Sequence, residues 1–164
     1  MRVAIDACSL INLHNGDCLR RLISLTNWDL MVGPTVLEEC GPPTGDVVGD
    51  LLSSGSFKSL DANSVNADRF LQIAVERKIG MGESECIAFA EQHNLNFCTD
   101  DGRARRVAST LLGSQRVMGS ARILKAMVET QNLHCSEAAV AFEAMKDAGG
   151  FLPNLDIDFF CPEV

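Results

Sequence analysis

The chain has 164 residues, of which 46% are apolar and 22% are charged, and its formal net charge at pH 7 is −8. This length and composition are typical of one soluble domain that buries about two thirds of its unfolded surface, so we predict a single domain over residues 1–164. The negative charge argues against nonspecific DNA binding, because such binding depends on Lys and Arg side chains that neutralise phosphates.

Membrane, exported and disulfide-rich proteins are also disfavoured by the sequence. No apolar run reaches the roughly 18 residues that span a bilayer, and no export leader precedes the first predicted strand. We therefore expect a cytoplasmic protein with no membrane contact. The seven cysteines include no CxxC pair, which favours reduced core cysteines over a disulfide framework or a structural zinc site.

Apolar patterning predicts strands that alternate with helices along the whole chain. We predict strands at residues 3–6, 29–34, 57–60, 95–99 and 116–120. We predict helices that begin after residue 6 and at residue 36, a short helix within 41–55, and helices at 66–78, 84–93, 104–112, 120–131 and 136–148. Residues 19–25 also have helical spacing. The tail after residue 150 is predicted to pack as a short edge element. This alternation indicates a three-layer α/β/α sandwich with a central parallel sheet.

Several common α/β chemistries lack their motifs. The chain has no GxxxxGK[ST] phosphate loop and no GxSxG nucleophile elbow. The segment GMGESE resembles the start of a dinucleotide fingerprint, but Glu85 stands at the third glycine position and would repel a pyrophosphate. His14, His93 and His134 form no i, i+4 zinc pair, so each is interpreted as a surface or capping residue.

Acidic residues cluster at four places, namely Asp6, Glu38/Glu39, Glu83/Glu85 and Asp100/Asp101. Parallel strands end at one edge of their sheet, so acids placed after strands can converge there and would then require a cation. Taken singly, the later acids also fit structural roles, as first-turn or N-cap residues of helices. Asp6 differs, because it ends an apolar strand, where burying a charge is costly unless something pairs with it.

Four motifs in this order carry a resemblance to a known family. They are IDACSLI, PTVLEEC, GMGESECIAFA and TDDGRAR. Together they resemble the PIN domain, the metal-dependent ribonuclease fold of VapC-type toxins, in a subgroup with Glu in place of the third Asp. The resemblance covers about residues 3–125, and the FLPNLD tail is also similar to that subgroup.

The resemblance implies roles for particular residues. The acidic quartet would be Asp6, Glu39, Glu85 and Asp101, with Asp100 as a further metal ligand and Glu83 as a neighbour. Register favours Glu39 over Glu38 and Asp101 over Asp100. Thr99 would support the site or cap its helix, and Cys8 stands where the family usually has Ser, Thr or Asn. A thiol is a weaker hydrogen-bond partner for a carboxylate, which bears on the geometry around Asp6.

The resemblance also implies a cofactor and partners. Carboxylates suit Mg²⁺ or Mn²⁺, which would activate water against a phosphodiester bond of RNA. An antitoxin protein and a second copy of the chain are expected partners. Arg103 and Arg106, within a basic set that includes Arg105, Arg122 and Lys125, are candidates to bind phosphate, although a solvated helix face explains them as well. Aromatic residues make up only 5% of the chain, so base stacking is not expected to dominate RNA recognition.

Two other functions remain open at this point. The first is a PIN-like binding module that keeps the fold but cleaves nothing, which the Cys8 substitution and the negative charge favour. The second is a metal-dependent phosphatase or hydrolase that acts on small phosphate esters in a closed pocket. Metal binding that requires all four acids separates the first from a nuclease, and indifference to RNA separates the second.

Overall fold

A computed structural model describes residues 1–161 of the chain. Five short strands form its sheet. The strands are β1 (Arg2–Ile5), β2 (Asp29–Val32), β3 (Lys58–Ser59), β4 (Asn96–Cys98) and β5 (Val117–Met118). All neighbouring strands are parallel, in the order β3-β2-β1-β4-β5. The predicted central parallel sheet is therefore confirmed.

Eight α-helices connect and cover these strands. They are α1 (Ala7–Asn15), α2 (Pro34–Cys40), α3 (Thr44–Ser53), α4 (Ala67–Arg77), α5 (Met81–His93), α6 (Gly102–Leu112), α7 (Ser120–Glu129) and α8 (Cys135–Asp147). Residues 19–25, which have helical spacing, include the 3₁₀ helix Arg20–Ser24.

The helices lie in two layers, as the handedness of parallel connections requires. Helix α1 packs against α3, α7 and α8 on one face of the sheet, and α5 packs against α4 and α6 on the other. The apolar core lies between sheet and helices, where residues such as Val3, Ile5, Leu10 and Phe97 are fully buried. This arrangement is the three-layer α/β/α sandwich that the sequence predicts.

One local prediction is corrected by the structure. Helix α5 begins at Met81, three residues before the predicted start, and nearly all of its first ten residues are buried. It lies against β1 and β4 at the centre of the molecule, so it has no polar face from which periodicity could locate its start. In the described part of the tail, residues 151–156 are irregular, and the 3₁₀ helix Ile157–Phe159 packs on α8. Residues 162–164 of that predicted element lie outside the described part.

Strand order creates a crevice at the carboxyl edge of the sheet. From β1 the chain moves to β2 on one side, whereas from β4 it moves to β5 on the other. The connections that leave β1 and β4 therefore diverge, which is the arrangement that opens ligand sites in parallel α/β sheets. No helix in residues 1–161 is long and apolar enough to cross a membrane.

Candidate metal centre

The first acid follows β1 at this crevice. Asp6 is only 1% exposed, and its N–H donates to the carbonyl of Cys98 on the adjacent strand β4 (3.1 Å). Its side chain caps α1, because Oδ1 accepts a hydrogen bond from the N–H of Ser9 (2.9 Å). Burial raises the pKa of Asp6 to about 6, although hydrogen bonds from Thr99, Ser9 and Cys8 oppose the shift. Asp6 is thus a desolvated carboxyl whose orientation is fixed by hydrogen bonds.

Helices α2 and α5 exchange glutamates across the crevice. Glu39 of α2 accepts a hydrogen bond at Oε1 from the N–H of Gly82 in the first turn of α5 (3.0 Å). In return, Glu85 of α5 accepts a hydrogen bond at Oε1 from the hydroxyl of Thr35 in the first turn of α2 (3.1 Å). First-turn N–H groups of a helix lack helical partners and attract carboxylates. Each glutamate is therefore oriented by the helix opposite its own.

Glu85 is the acid with the clearest unmet bonding capacity. It is 6% exposed, and its Oε2 has no hydrogen-bond partner within the described residues. Burial raises its pKa, and the Thr35 hydroxyl, which bonds Oε1, opposes that shift first. The nearby N–H groups of Thr35 and Val36 also oppose it, although neither reaches Oε2 with hydrogen-bonding geometry. A buried oxygen of this kind costs free energy unless a proton or a cation satisfies it.

Two glycines make room for the exchanged glutamates. A Cβ on Gly33, the residue before α2, would overlap Oε2 of Glu85, and a Cβ on Gly82 would overlap Oε2 of Glu39. Both positions have ordinary negative or helical backbone geometry, so space and not conformation requires glycine there. The sequence alone did not predict this role, because a glycine directly before a helix is usually interpreted as a helix cap or a strand end.

The remaining glutamates occupy less central positions. Glu38 and Glu39 are both exposed, and Glu39 is the one of the two that accepts the hydrogen bond from α5. Glu83 is half-buried, and its pKa is raised by burial first and then by the charges of Glu39 and Asp101. The like charges of Glu39, Glu83 and Asp101 therefore act on one another across the edge.

Asp100 and Asp101 face different helices. Asp100 accepts hydrogen bonds at Oδ2 from the Asn12 amide (2.9 Å) and at Oδ1 from the N–H of Ser120, the first residue of α7 (2.9 Å). Asp101 caps α6, because Oδ1 accepts from the N–H groups of Arg103 (2.9 Å) and Ala104 (2.7 Å). Both oxygens of Asp100 thus have protein donors, whereas Asp101 uses Oδ1 for its cap.

Cys8 and Thr99 connect the first acid to the last pair. The Cys8 thiol lies 3.1 and 3.2 Å from the two carboxylate oxygens of Asp6, and its sulfur accepts a hydrogen bond from the N–H of Asp100 (3.3 Å). The Thr99 hydroxyl accepts from the N–H of Asp101 (3.1 Å). Burial, and then the negative charge of Asp6, raise the pKa of the Cys8 thiol, so it stays protonated and donates. The thiol thus links the carboxylate of Asp6 to the backbone of Asp100.

Five helix N-termini therefore hold acids at one edge of the sheet. No group of three His, Cys, Asp or Glu side chains in residues 1–161 encloses a metal ion as it stands. Each acid instead directs an oxygen at a protein donor, which is the arrangement expected when like charges repel. The donor set still fits a hard divalent cation, since it consists of carboxylates and includes the unpartnered, buried Oε2 of Glu85.

The three arginines after the last acid pair differ in exposure and in hydrogen-bond partners. Arg103 is exposed and donates to the carbonyl of Arg77 (3.2 Å), and Arg106 is exposed on α6. Arg105 is half-buried and donates through Nη2 to the carbonyl of Thr99 (2.6 Å), directly behind the acids. Of the three, Arg105 is the one whose guanidinium bonds the residue directly before the Asp100/Asp101 pair.

Comparisons with known proteins agree with this fold. The family model that matches residues 2–157 describes a PIN domain, so the chain belongs to the PIN domain family. PIN domains are generally nucleases and typically use divalent metal ions. The family predicted from the four sequence motifs is thereby confirmed, while the VapC-type subgroup stays a prediction.

The fold is also similar to that of a protein whose structure has been solved. That structure is the crystal structure of PAE2754 from Pyrobaculum aerophilum, with a TM-score of 0.54 and 16% sequence identity over 81% of this chain and 91% of that one. At this identity the likeness concerns the fold alone. A comparison with curated proteins gives no match.

Proposed function

We propose that the protein is a metal-dependent endoribonuclease in which Asp6, Glu39, Glu85 and Asp101 hold Mg²⁺ or Mn²⁺. The single observation that carries the proposal is the buried Oε2 of Glu85, which lacks a partner within the described residues although the side chain is only 6% exposed. A carboxylate oxygen left unsatisfied beside other acids is poorly explained as a structural device, because it lowers stability without forming a contact.

The chain's own residues orient the acids for this task. Ser9 and Cys8 hold Asp6, Gly82 holds Glu39, and Thr35 holds Glu85, so each ligand has a donor that limits its rotation. Asp100 has both oxygens engaged by Asn12 and Ser120. We therefore assign Asp100 mainly to positioning the β4–α6 turn, with Asp101 as the ligand of that pair.

When bound, Mg²⁺ or Mn²⁺ supplies a Lewis acid that lowers the pKa of water and stabilises negative charge on a phosphoryl oxygen. The protein would contribute carboxylates that its own donors already orient, and the raised pKa of Asp6 would fall if a cation bound beside it and replaced the lost hydration. RNA as the substrate, a homodimer and an antitoxin partner belong to the proposal through the resemblance of the four motifs.

The test is cleavage of labelled single-stranded and structured RNAs in Mg²⁺, Mn²⁺ or EDTA. We expect the wild type to cut in either metal and not in EDTA, and Asp6→Asn to lose cleavage. Asp50→Asn is the matched control, because it removes the same charge from an exposed pair with Arg20. Folded wild-type protein that binds Mn²⁺ but cuts no RNA would indicate a silent module. Hydrolysis of small phosphate esters alone would indicate a phosphatase, and no metal binding would reject the proposal.

A further inference from the structure

A cavity of about 700 Å³ lies beside the acidic edge and is lined by the C-terminal tail. Its walls come from β5, from the starts of α6 and α7, and from residues 151–159. The lining is mostly apolar, with Met118, Leu152, Leu155 and Phe159 among its residues. This volume is within the range of small-ligand sites, which is roughly 300–1,000 Å³.

Phe151 joins this cavity to the candidate metal centre. It lines the 700 Å³ cavity and also a smaller one, of about 200 Å³, whose wall includes Cys8, Asp100 and Asp101. Its side chain is 98% exposed, whereas no other large exposed apolar side chain in the described residues exceeds 72%. Solvent thus reaches the phenyl ring almost completely, directly between an apolar groove and a cluster of acids.

The position of Phe151 is set by the turn that precedes it. Gly149 has a φ of 98°, which side-chain-bearing residues rarely adopt, and it lets the chain leave α8 sharply. Gly150 then donates through its N–H to the carbonyl of Met145 (3.0 Å) and packs so closely on Asn12 that a Cβ would overlap the Asn12 amide oxygen. Because the Asn12 amide also donates to Asp100, the turn ties Phe151 to the acidic edge.

Cations border the same groove, although the chain as a whole is acidic. Arg105 and Arg122 line it, and the Nζ of Lys125 lies 5.0 Å from the centre of the Phe159 ring in its wall. Gly119 permits Arg105 to lie next to the acids, since a Cβ there would overlap both Arg105 Nη2 and Asp100 Oδ1. Arg122 is half exposed and pairs with Glu129 (2.8 Å), and an exposed pair of this kind exchanges partners at little cost.

We infer that this groove binds an unpaired nucleotide of the substrate strand, with its base stacked on Phe151 and flanking phosphates at Arg105 and Arg122. The inference rests on the proposed nuclease function and adds a base-binding subsite to it. Flat aromatic surface and cations along one groove match single-stranded nucleic acid, which combines stacking bases with a charged backbone. The continuity of the groove with Asp100 places the next phosphate at the acidic edge.

Equilibrium binding of labelled oligoadenylate of about ten nucleotides tests the stack, because sites for single strands cover roughly 4–16 nucleotides. A ribose-phosphate strand of equal length without bases serves as the second probe, and both are measured in EDTA and, in the Asp6→Asn background, in Mg²⁺. We expect Phe151→Ala to weaken oligoadenylate binding about 5- to 150-fold, the loss of one base stack, and to leave the baseless strand unaffected.

Two further variants separate stacking from charge and from exposure. Phe151→Trp should keep the affinity, whereas Arg122→Gln should weaken both strands alike and reduce the salt dependence by about 0.7 in log–log slope, the value for one lost phosphate contact on a single strand. Val75→Ala is the control, because Val75 is 71% exposed on α4 and outside both cavities. It should change neither affinity.

The inference is overturned if Phe151→Ala affects both strands equally or neither, or if the wild type binds no strand in either buffer. It is also overturned if sizing shows that Phe151→Ala disrupts a dimer while RNA affinity is unchanged, since the groove would then hold a second copy of the chain. RNA cutting that depends on Asp6 but is indifferent to Phe151 rejects the subsite alone. Base-dependent binding without any cutting rejects the proposed nuclease and leaves the subsite.

Discussion

Replacing Asp6 with Asn should stabilise the metal-free protein at neutral and basic pH. The pKa of Asp6 is raised from 3.8 to about 6 by burial. Below the lower value the carboxyl is protonated in both the folded and the unfolded chain, so burial has no charge to penalise. As pH rises, the unfolded chain loses this proton first, and the folded protein is destabilised until the pH passes about 6. The carboxyl of Asp6 therefore makes the folded protein less stable as the pH rises, and not as it falls.

The magnitude follows from the two pKa values. The difference between 3.8 and 6, at about 1.4 kcal/mol per pH unit, corresponds to about 3 kcal/mol at pH 8 and falls to about 0.5 kcal/mol at pH 4. Asn keeps the cap of α1, because its side-chain oxygen can still accept from the N–H of Ser9 and Asn caps helices as well as Asp does. We thus expect Asp6→Asn to gain most of this free energy at pH 8.

The assay is urea denaturation in EDTA at pH 4 and pH 8, followed by thermal unfolding. Asp6→Asn should raise the free energy of unfolding by about 3 kcal/mol at pH 8, or Tm by about 6–12 °C in a chain of this size. The control Asp50→Asn should change it by less than about 1 kcal/mol at both pH values, since its pair is exposed. Adding Mn²⁺ at 100 times Kd should stabilise only the wild type, by about 2.7 kcal/mol.

A variant that is no more stable than the wild type at pH 8 would refute this reasoning. Equal gains at pH 4 and pH 8 would refute it as well, because they would show that packing and not desolvation of a charge separates the two proteins. Stabilisation of Asp6→Asn by Mn²⁺ to the wild-type extent would remove Asp6 from the metal ligands.

Three further variants and one control test the residues that form and surround the acidic site. Glu85→Gln removes a proposed metal ligand and should lower metal-dependent RNA cleavage at least about 100-fold. It should not lower stability in EDTA, because Gln keeps an acceptor for Thr35 and burial raises the pKa of the carboxyl that it replaces. Gly33→Ala should lower the free energy of unfolding in urea by about 1–3 kcal/mol and abolish cleavage, because the new Cβ would displace Glu85. The control is Gly49→Ala on α3, where no atom lies within 4 Å of the new Cβ, and it should raise the free energy of unfolding by about 0.5–1 kcal/mol. Cys8→Ser should tighten Mn²⁺ binding about 5-fold by calorimetry, since a hydroxyl donates more strongly than a thiol to Asp6.

Each of these outcomes has a clear opposite. Unchanged cleavage in Glu85→Gln would make that side chain structural. If Gly49→Ala lowered stability as much as Gly33→Ala, the loss in Gly33→Ala would not come from the overlap with Glu85. Weaker Mn²⁺ binding in Cys8→Ser would mean that the thiol is preferred at this position.

The structural and the functional interpretations of the acids are compatible in the structure. Sequence reasoning treated a helix cap and a ligand as alternatives for Asp101, and a first-turn acid and a ligand as alternatives for Glu85. Asp101 caps its own helix, while Glu85 faces the first turn of a different helix. A helix N-terminus orients one carboxylate oxygen and leaves the other for further bonding, so one residue can serve both roles.

The sequence by itself determined the layer architecture, the family and the clusters of acids at the sheet edge. These follow from local patterns: apolar periodicity separates strands from helices, and acids directly after parallel strands share one edge because all strands end there. Asp6 and the Asp100/Asp101 pair could be located for this reason, each lying one to three residues beyond a buried strand, whereas the choice of Asp101 within the pair came from the resemblance.

Only the tertiary structure decided how the acids are held and what lies beside them. The exchange of Glu39 and Glu85, the glycine at position 33 and the exposed Phe151 at the groove all depend on segments that are distant in sequence and meet through packing. Helix α5 is buried on nearly all sides, so periodicity carries no signal for its start. Contacts between distant elements are set by the whole core, and a pattern read along one segment does not contain them.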